Sequence, residues 1–185
     1  MIELSTLQMI RDIVTIFGVI AGFTYYVMTV RLNQRTMRIN LTNTLIQQLE
    51  TEEFFNKVTE LMYMEWEDYD DFEEKYGSDV NLENYVMRVT VWSKYDSLGM
   101  ILMKGLADKE ILYNSQVVYN SVWLWQKYKD VFEVNRRLYS GADGWVGLEY
   151  LANELFKIKQ QRDPNWSIDS ANPIYDEAKR NLANR

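Results

Sequence analysis

The chain contains neither histidine nor cysteine, and these two absences remove most of the common catalytic machinery. Without histidine it cannot build a Ser-His-Asp triad, a histidine-containing zinc site or a histidine-dependent ribonuclease centre. Without cysteine it has no thiol nucleophile, no thiolate metal site and no disulfide framework. Carboxylate chemistry remains open, such as a metal site that combines Glu149 and Glu154 with the acids of residues 65–74. We predict no enzyme activity and no cofactor.

Residues that break helices are also scarce. The two prolines both lie beyond residue 160, and only eight glycines occur in 185 residues. Alternating runs of β-branched residues, which would indicate strands, are rare. Six Trp, thirteen Tyr and seven Phe supply large side chains for a core. The sequence therefore predicts an all-α protein.

One long stretch lacks charge altogether. Residues 13–30 hold no charged side chain, and as a helix they measure about 27 Å, close to the hydrocarbon thickness of a bilayer. The stretch predicts a single transmembrane helix. A buried core helix is the alternative, because the run is near the lower length limit for spanning. Glu3, Arg11 and Asp12 precede the run where a cleaved signal peptide would carry a basic cluster, so the anchor is expected to be retained.

Charge on either side of the run predicts its orientation. Arg31, Arg35 and Arg38 follow it with no acid nearby, whereas the charges before it nearly cancel. By the positive-inside rule the arginines face the cytoplasm and the amino terminus lies outside. Tyr25 and Tyr26 precede the arginines by one to two turns, where an aromatic belt contacts the lipid interface. We expect a single-pass protein of the cell membrane with a cytoplasmic body.

Apolar spacing and capping residues divide the rest of the chain into helices. The first helix is expected to continue beyond the membrane to residue 49, and Thr51 caps the second. Asp108 and Asp143 are the predicted N-caps of two later helices. The apolar stripes of all these helices are assigned to the core. The predicted helices after the first lie at 52–64, 68–76, 81–105, 108–140 and 144–162.

This pattern predicts three parts. Residues 1–31 form the anchor, and residues 32–161 form a helical cytoplasmic bundle that continues from it. About 150 residues follow the apolar run, enough for one domain with a core. Residues 162–185 contain both prolines and only scattered apolar residues, which is typical of a tail or docking arm. Trp166 and Ile168 indicate an arm that packs on a surface, and a frayed terminus is the alternative.

Negative charge is concentrated in one place. Residues 51–85 carry twelve acids against Lys57 and Lys75, while the rest of the chain is slightly positive. We call residues 65–74 the acidic segment; its acids are Glu65, Glu67, Asp68, Asp70, Asp71, Glu73 and Glu74. They interleave with aromatic residues, a pattern that predicts a site for a basic partner or a cation. A calcium loop is excluded because Phe72 stands where an oxygen ligand is needed. A solvated helix face is the alternative.

Two glycines give the apolar run a possible helix contact. Gly18 and Gly22 have the G-x-x-x-G spacing that lets two helix backbones approach closely, so self-association is predicted there. A pore would need a polar face along the run, for which Thr15 and Thr29 are the candidates. The body lacks a basic face, so no nucleic-acid partner is predicted. The expected partners are membrane lipid and other protein subunits or a second copy of the chain.

Several segments carry a resemblance to a known family. They are TYYVMTVRLNQR, LMYMEWEDYDDFEEKYG, MILMKGLADKEILY, VWLWQKYKD and GLEYLANELFKIKQQR. Over residues 10–160 the chain resembles a prokaryotic, notably archaeal, family of small single-span, membrane-anchored helical proteins, a domain of unknown function. The resemblance implies this architecture and no activity or site. A looser similarity is to pore-forming accessory membrane proteins of RNA-targeting CRISPR systems, whose Arg-x-His type motif this chain lacks.

Two functions are consistent with these features. The first is a non-enzymatic, membrane-anchored interaction or scaffold protein, or an accessory subunit of a membrane complex. The acidic segment, the aromatic body and the docking arm would all serve it. The second is a homo-oligomeric membrane pore or defence-type effector, which requires spans packed around an axis.

Overall fold

The computed structural model describes residues 4–166, and this part of the chain is helical with no strand. The all-α prediction is therefore confirmed. Seven α-helices and one π-helical turn follow one another along the chain. They are α1 Leu4–Leu49, α2 Glu52–Tyr63, α3 Tyr69–Tyr76, α4 Leu82–Met103, α5 Lys109–Tyr113, α6 Val117–Asn135, the π turn Arg136–Ser140 and α7 Val146–Arg162.

The chain divides into two units, with the boundary between Asn40 and Leu41. The first unit is the greater part of α1. An 18-residue window of this helix has a mean hydropathy of 1.9, and none of the window is buried. By length and composition α1 can cross a membrane, although a signal sequence or the core helix of a soluble protein passes the same test. The predicted domain boundaries at residues 31 and 161 stay a prediction.

The second unit contains the core. Its helices bury the predicted stripes, and the largest side chains without exposure include Tyr95, Phe132 and Tyr128. Trp92 meets Tyr128 and Phe132 edge-on, with ring centroids 5.1 Å and 4.9 Å away. Such offset and edge-on contacts add to the free energy gained by burial. Two residues of the predicted stripes are exceptions in this unit, because Leu41 and Tyr85 lie at the surface with 39% and 37% of their areas exposed.

Two helices of the core cross at very short distance. A Cβ atom on Gly99 of α4 would lie 1.8 Å from the carbonyl oxygen of Gly147 in α7. A Cβ atom on Gly147 would lie 2.1 Å from the carbonyl oxygen of Asp96. Only glycine at both positions permits this approach, since real Cβ atoms keep more than about 3 Å from a backbone oxygen. The two glycines therefore fix how α4 and α7 pack.

Two of the predicted N-caps, Thr51 and Asp108, are confirmed, and each binds amides within three residues of itself. The Thr51 hydroxyl accepts a hydrogen bond from the Phe54 amide at 3.2 Å and begins α2. The Asp108 carboxylate accepts from the Glu110 and Ile111 amides at 3.0 and 3.2 Å and begins α5. Each side chain satisfies amides that have no partner within the first helical turn.

The predicted helix at 108–140 is wrong as a single element. It divides into α5 and α6, and its end widens into the π turn. The division falls at Ser115, whose hydroxyl donates to the Leu112 carbonyl at 2.8 Å and accepts from the Val117 amide at 3.2 Å. Serine here competes with the helical backbone for hydrogen bonds, so one helix ends and the next begins.

The predicted cap of α7 is also wrong. Asp143 is not the N-cap; that position belongs to Trp145, which has a left-handed backbone (φ 59°) and no side-chain cap bond. The cap comes instead from α4, where the Asp96 carboxylate accepts from the Leu148 amide at 3.0 Å. A residue 52 positions away in sequence thus supplies the hydrogen bond that a local aspartate was expected to make.

This difference gives a direct test. Asp96→Ala should lower the free energy of unfolding by about 1 kcal/mol, because the Leu148 amide loses its partner. Asp143→Ala should change it by less than ~0.5 kcal/mol, as for other exposed surface positions. Chemical denaturation followed by tryptophan fluorescence measures both. Equal losses in the two variants would contradict the cap assigned here.

Candidate functional site

The acidic segment rests on a fixed aromatic base. Trp66 stacks on Tyr128 of α6 with ring centroids 5.0 Å apart, and it meets Phe72 edge-on at 5.1 Å. Phe72 is completely buried, and the Tyr128 hydroxyl donates to the Leu61 carbonyl at 2.8 Å. Of the aromatic residues that interleave with the acids, Phe72 belongs to the core, and Trp66 and Tyr69 are half-buried and pack against it. This arrangement orients the acids towards solvent.

The structure places the seven acids in two groups. Five of them are exposed and two are half-buried. The half-buried Asp71 accepts from the Glu67 amide at 2.9 Å and pairs with Lys75 at 2.7 Å. Lys75 and then the Glu67 amide hold the pKa of Asp71 below its usual value. The exposed acids are Glu65, Glu67, Asp68, Asp70 and Glu74.

One exposed acid also has a structural role. Asp68 is the N-cap of α3 and accepts from the Asp71 amide at 2.9 Å. Neutralising Asp68 or Asp71 would disturb α3 itself, whereas Glu67, Asp70 and Glu74 keep their carboxylates at the surface. Those three are the residues whose replacement tests binding without altering the helix.

A buried arginine lies beneath the acidic segment. Arg88 of α4 is only 3% exposed. Its guanidinium lies 4.8 Å from the Phe72 ring centroid, donates to the Tyr76 carbonyl that ends α3, and donates to Asn84 at 3.2 Å. Burial lowers the pKa of Arg88, and the nearby Glu73 carboxylate opposes that shift. Arg88 thus attaches α3 to α4. The sequence offers a signal for this role, because Arg88 is a charged residue within the apolar stripe of α4. Sequence analysis assigned it no role.

The first residue of α3 has a perturbed hydroxyl. Burial raises the pKa of Tyr69 to about 12, with further contributions from Glu73 and from Tyr139.

Residues predicted to contact membrane or a second span all lie on α1. Tyr25 and Tyr26 are 74% and 65% exposed. Arg31, Arg35 and Arg38 are exposed as well. A Cβ atom on Gly18 or Gly22 would meet nothing within 4 Å. A side chain at Gly18 or Gly22 would therefore meet no steric obstacle from the described residues.

The docking arm is described only at its start. The Trp166 ring lies 5.7 Å from Phe156 and 6.4 Å from Tyr119, and the Lys159 ammonium lies 5.6 Å from it. The beginning of the arm therefore packs on the body. Ile168 and the rest of the predicted arm lie outside the described residues. Among residues 4–166, no group of three or more acids is arranged to hold a metal ion.

Comparisons with known proteins give no relative on which to base a function. No protein-family model matches the chain, and neither the curated proteins nor the solved structures yield a match. The resemblance drawn from the sequence segments therefore stays a prediction.

Proposed function

We propose that this protein is a single-span membrane protein whose helical body binds other proteins, as a scaffold or as an accessory subunit of a membrane complex. The observation that carries the proposal is the acidic segment. Five of its seven acids are exposed, while its aromatic residues pack in or against the core. A charged surface on a rigid base steers a basic partner and loses little entropy when it binds.

The proposed membrane anchor is supported by the exposure of α1. A window of this helix that is apolar enough to span a bilayer has no buried residue, and apolar surfaces of this size normally face lipid or another protein. Arg31, Arg35 and Arg38 follow the window and favour a cytoplasmic body. Acids on the body are repelled by anionic lipid, which keeps the acidic segment open to a partner.

Topology is the first test of this proposal. Replacing Arg31, Arg35 and Arg38 with glutamine should give a mixture of orientations, because the charge asymmetry that orients the span is lost. Protease protection in sealed vesicles measures the orientation. The matched control replaces three exposed cations of the body with glutamine, namely Lys104, Lys129 and Arg137. It should retain a single orientation.

Two results would refute the anchor or its orientation. Digestion of the body from outside intact cells would place it on the wrong side of the membrane. Release of the wild-type chain from membranes by alkaline carbonate, without detergent, would show that α1 does not span.

Partner capture is the second test. Neutralising Glu67, Asp70 and Glu74 together should reduce the amount of protein that co-purifies with the tagged chain from native membranes by roughly tenfold, since steering charges are lost. Quantitative mass spectrometry after crosslinking measures this. Thermal unfolding should change little because exposed acids contribute little to stability.

The control for capture removes equal charge elsewhere. Glu60, Asp130 and Glu133 are exposed acids outside the acidic segment. Their neutralisation should leave capture unchanged. Equal loss in both triple variants would indicate a general charge effect and contradict a site at the acidic segment.

The second candidate function is a homo-oligomeric pore or effector. It is supported by Gly18 and Gly22, which present open space on an exposed helix and would allow two spans to approach closely. The mass of the assembly in mild detergent distinguishes the candidates. A ring of copies supports the pore, whereas a single copy or a copy within a mixed complex supports the scaffold.

A further inference from the structure

The chain leaves α7 at a fixed point. Arg162, the last residue of α7, donates to the Glu110 carboxylate of α5, and its guanidinium carbon lies 4.2 Å from the Tyr113 ring centroid. The Asp163 amide donates to the Lys159 carbonyl at 2.8 Å and completes the last turn of the helix. These contacts set the position from which the docking arm begins.

The chain then reverses its direction. The Trp166 amide donates to the Asp163 carbonyl at 3.0 Å, which closes a four-residue turn. Pro164 occupies the second position of this turn, where its fixed φ is favoured. The Trp166 ring consequently lies 5.7 Å from that of Phe156, which precedes the end of α7 by more than one helical turn. The chain is therefore running back along α7 where the described residues end.

A groove between α6 and α7 begins at this place. Phe156 belongs both to the groove and to the contact with Trp166. The floor of the groove is apolar, while its rim carries exposed polar side chains. We call it the α6–α7 groove; its lining includes Val122, Trp125, Gln126, Lys129, Ala152 and Phe156.

The two helices run antiparallel, and this sets the direction of the groove. Arg136, which follows α6, pairs with Glu149 near the start of α7 at 2.7 Å. At the opposite end, Tyr119 of α6 meets the Trp166 ring with centroids 6.4 Å apart. From Trp166 the groove therefore continues towards the start of α7. This is the direction in which the chain is already running.

The four residues that follow Trp166 match the groove in length and character. Along the groove α6 rises about 10 Å, and four extended residues span about 13 Å. Alternate side chains of an extended segment share a face, so Ile168 would face the helices as Trp166 does. The groove lining holds Lys129 and no acid, and Asp169 is the one charged residue of the four.

We propose that residues 167–170 occupy the α6–α7 groove of their own chain, with Ile168 on its apolar floor and Asp169 towards Lys129. These four residues lie outside the described part of the chain, and the turn and the groove carry the inference. An arm in this position closes the groove to other proteins, so the groove can bind a partner only when the arm leaves. The inference needs neither the membrane span nor the acidic segment.

The test measures how far the groove is covered. Because the protein has no cysteine, Gln126→Cys places a single thiol on the rim of the groove. Its rate of modification by a maleimide is measured in phosphatidylcholine nanodiscs that hold one chain each. Ending the chain at Trp166 should raise this rate roughly tenfold, because a covered thiol reacts only while the arm is away.

Two substitutions test the arm at full length. Ile168→Asp should raise the rate at Gln126→Cys roughly tenfold as well, since a charge would then face the apolar floor. Ile168→Val keeps an apolar side chain and should leave the rate within about twofold. The matched control is Asp130→Cys, an exposed position of α6 outside the groove lining. Its rate should be the same in every chain.

Four results would overturn the inference. Equal rates at Gln126→Cys with and without the arm would show that the arm does not cover the groove. A rise at Asp130→Cys as large as that at Gln126→Cys would indicate general loosening of the body. Protection confined to nanodiscs with two or more chains would identify the arm of a second copy as the occupant.

Protection that remains after the arm is removed and disappears in detergent would identify lipid as the occupant. None of these results concerns the proposed function, which is tested by capture through the acidic segment. Loss of capture in the acid variant with an uncovered groove would refute this inference alone. Unchanged capture with a covered groove would refute the proposed function alone.

Discussion

Gly99→Ala should unfold the body at a markedly lower temperature than wild type. The new Cβ atom would lie 1.8 Å from the carbonyl oxygen of Gly147, and neither atom can move unless α4 and α7 separate. Separation exposes Leu98, Leu151 and Leu155, which are buried along these helices. The expected loss is at least ~3 kcal/mol, towards the upper end for overpacked cores. It corresponds to a fall in Tm of roughly 10 °C.

Tryptophan fluorescence during heating in mild detergent measures this loss. All six tryptophans lie between residues 66 and 166, so the signal reports the body and not the span. Gly18→Ala is the matched control, because it makes the same change in a helix where nothing lies within 4 Å. A Tm for Gly99→Ala within about 2 °C of wild type would show that the two helices do not cross so closely.

Arg88→Ala should detach α3 from the body as well as destabilise it. The substitution leaves the Tyr76 carbonyl without its donor and opens a cavity beside Phe72. Loss of a large buried side chain of this kind costs about 3 kcal/mol. Because Arg88 holds the end of α3, the local effect should exceed the global one. The acidic segment would then lose its fixed orientation and its capacity to present charge.

Hydrogen exchange of the backbone amides measures the local effect. Amides of α3 should exchange at least tenfold faster in Arg88→Ala than in wild type, while amides of α6 keep protection that reflects global stability. Arg137→Ala is the control, since that arginine is exposed. Arg88→Lys should give an intermediate result because lysine keeps the charge but lacks the planar fork. Unchanged exchange in α3 would contradict the role assigned to Arg88.

Parts of the candidate site could be predicted because their causes are local. In α3 the helical period places Tyr69 and Phe72 on one side, so Asp70, Asp71 and Glu74 lie on the other. Sequence also gave the approximate limits of α3. It did not separate Asp68 and Asp71, which shape α3, from Glu67, Asp70 and Glu74, because hydrogen-bond partners depend on the folded backbone.

Other features of the site depend on contacts between residues that lie far apart in the chain. Trp66 and Tyr128 are separated by 62 positions, and only the packing of the acidic segment against α6 brings their ring centroids to 5.0 Å. The π turn has no local composition that distinguishes it from the end of an ordinary helix. Arg136 stabilises it through Gly144 and Glu149, which belong to the following loop and helix.

The sequence by itself determined the all-α class, the long apolar helix α1 and the helix starts at Thr51 and Asp108, since composition, hydropathy and capping act over a few neighbouring residues. Only the tertiary structure decided which side chain caps α7, why Gly99 and Gly147 are glycines, and that Arg88 attaches α3 to α4. Asp96 reaches its amide across 52 positions, and the two glycines are 48 positions apart. Contacts of this kind exist only once helices pack, and the spacing of residues along the chain does not encode them.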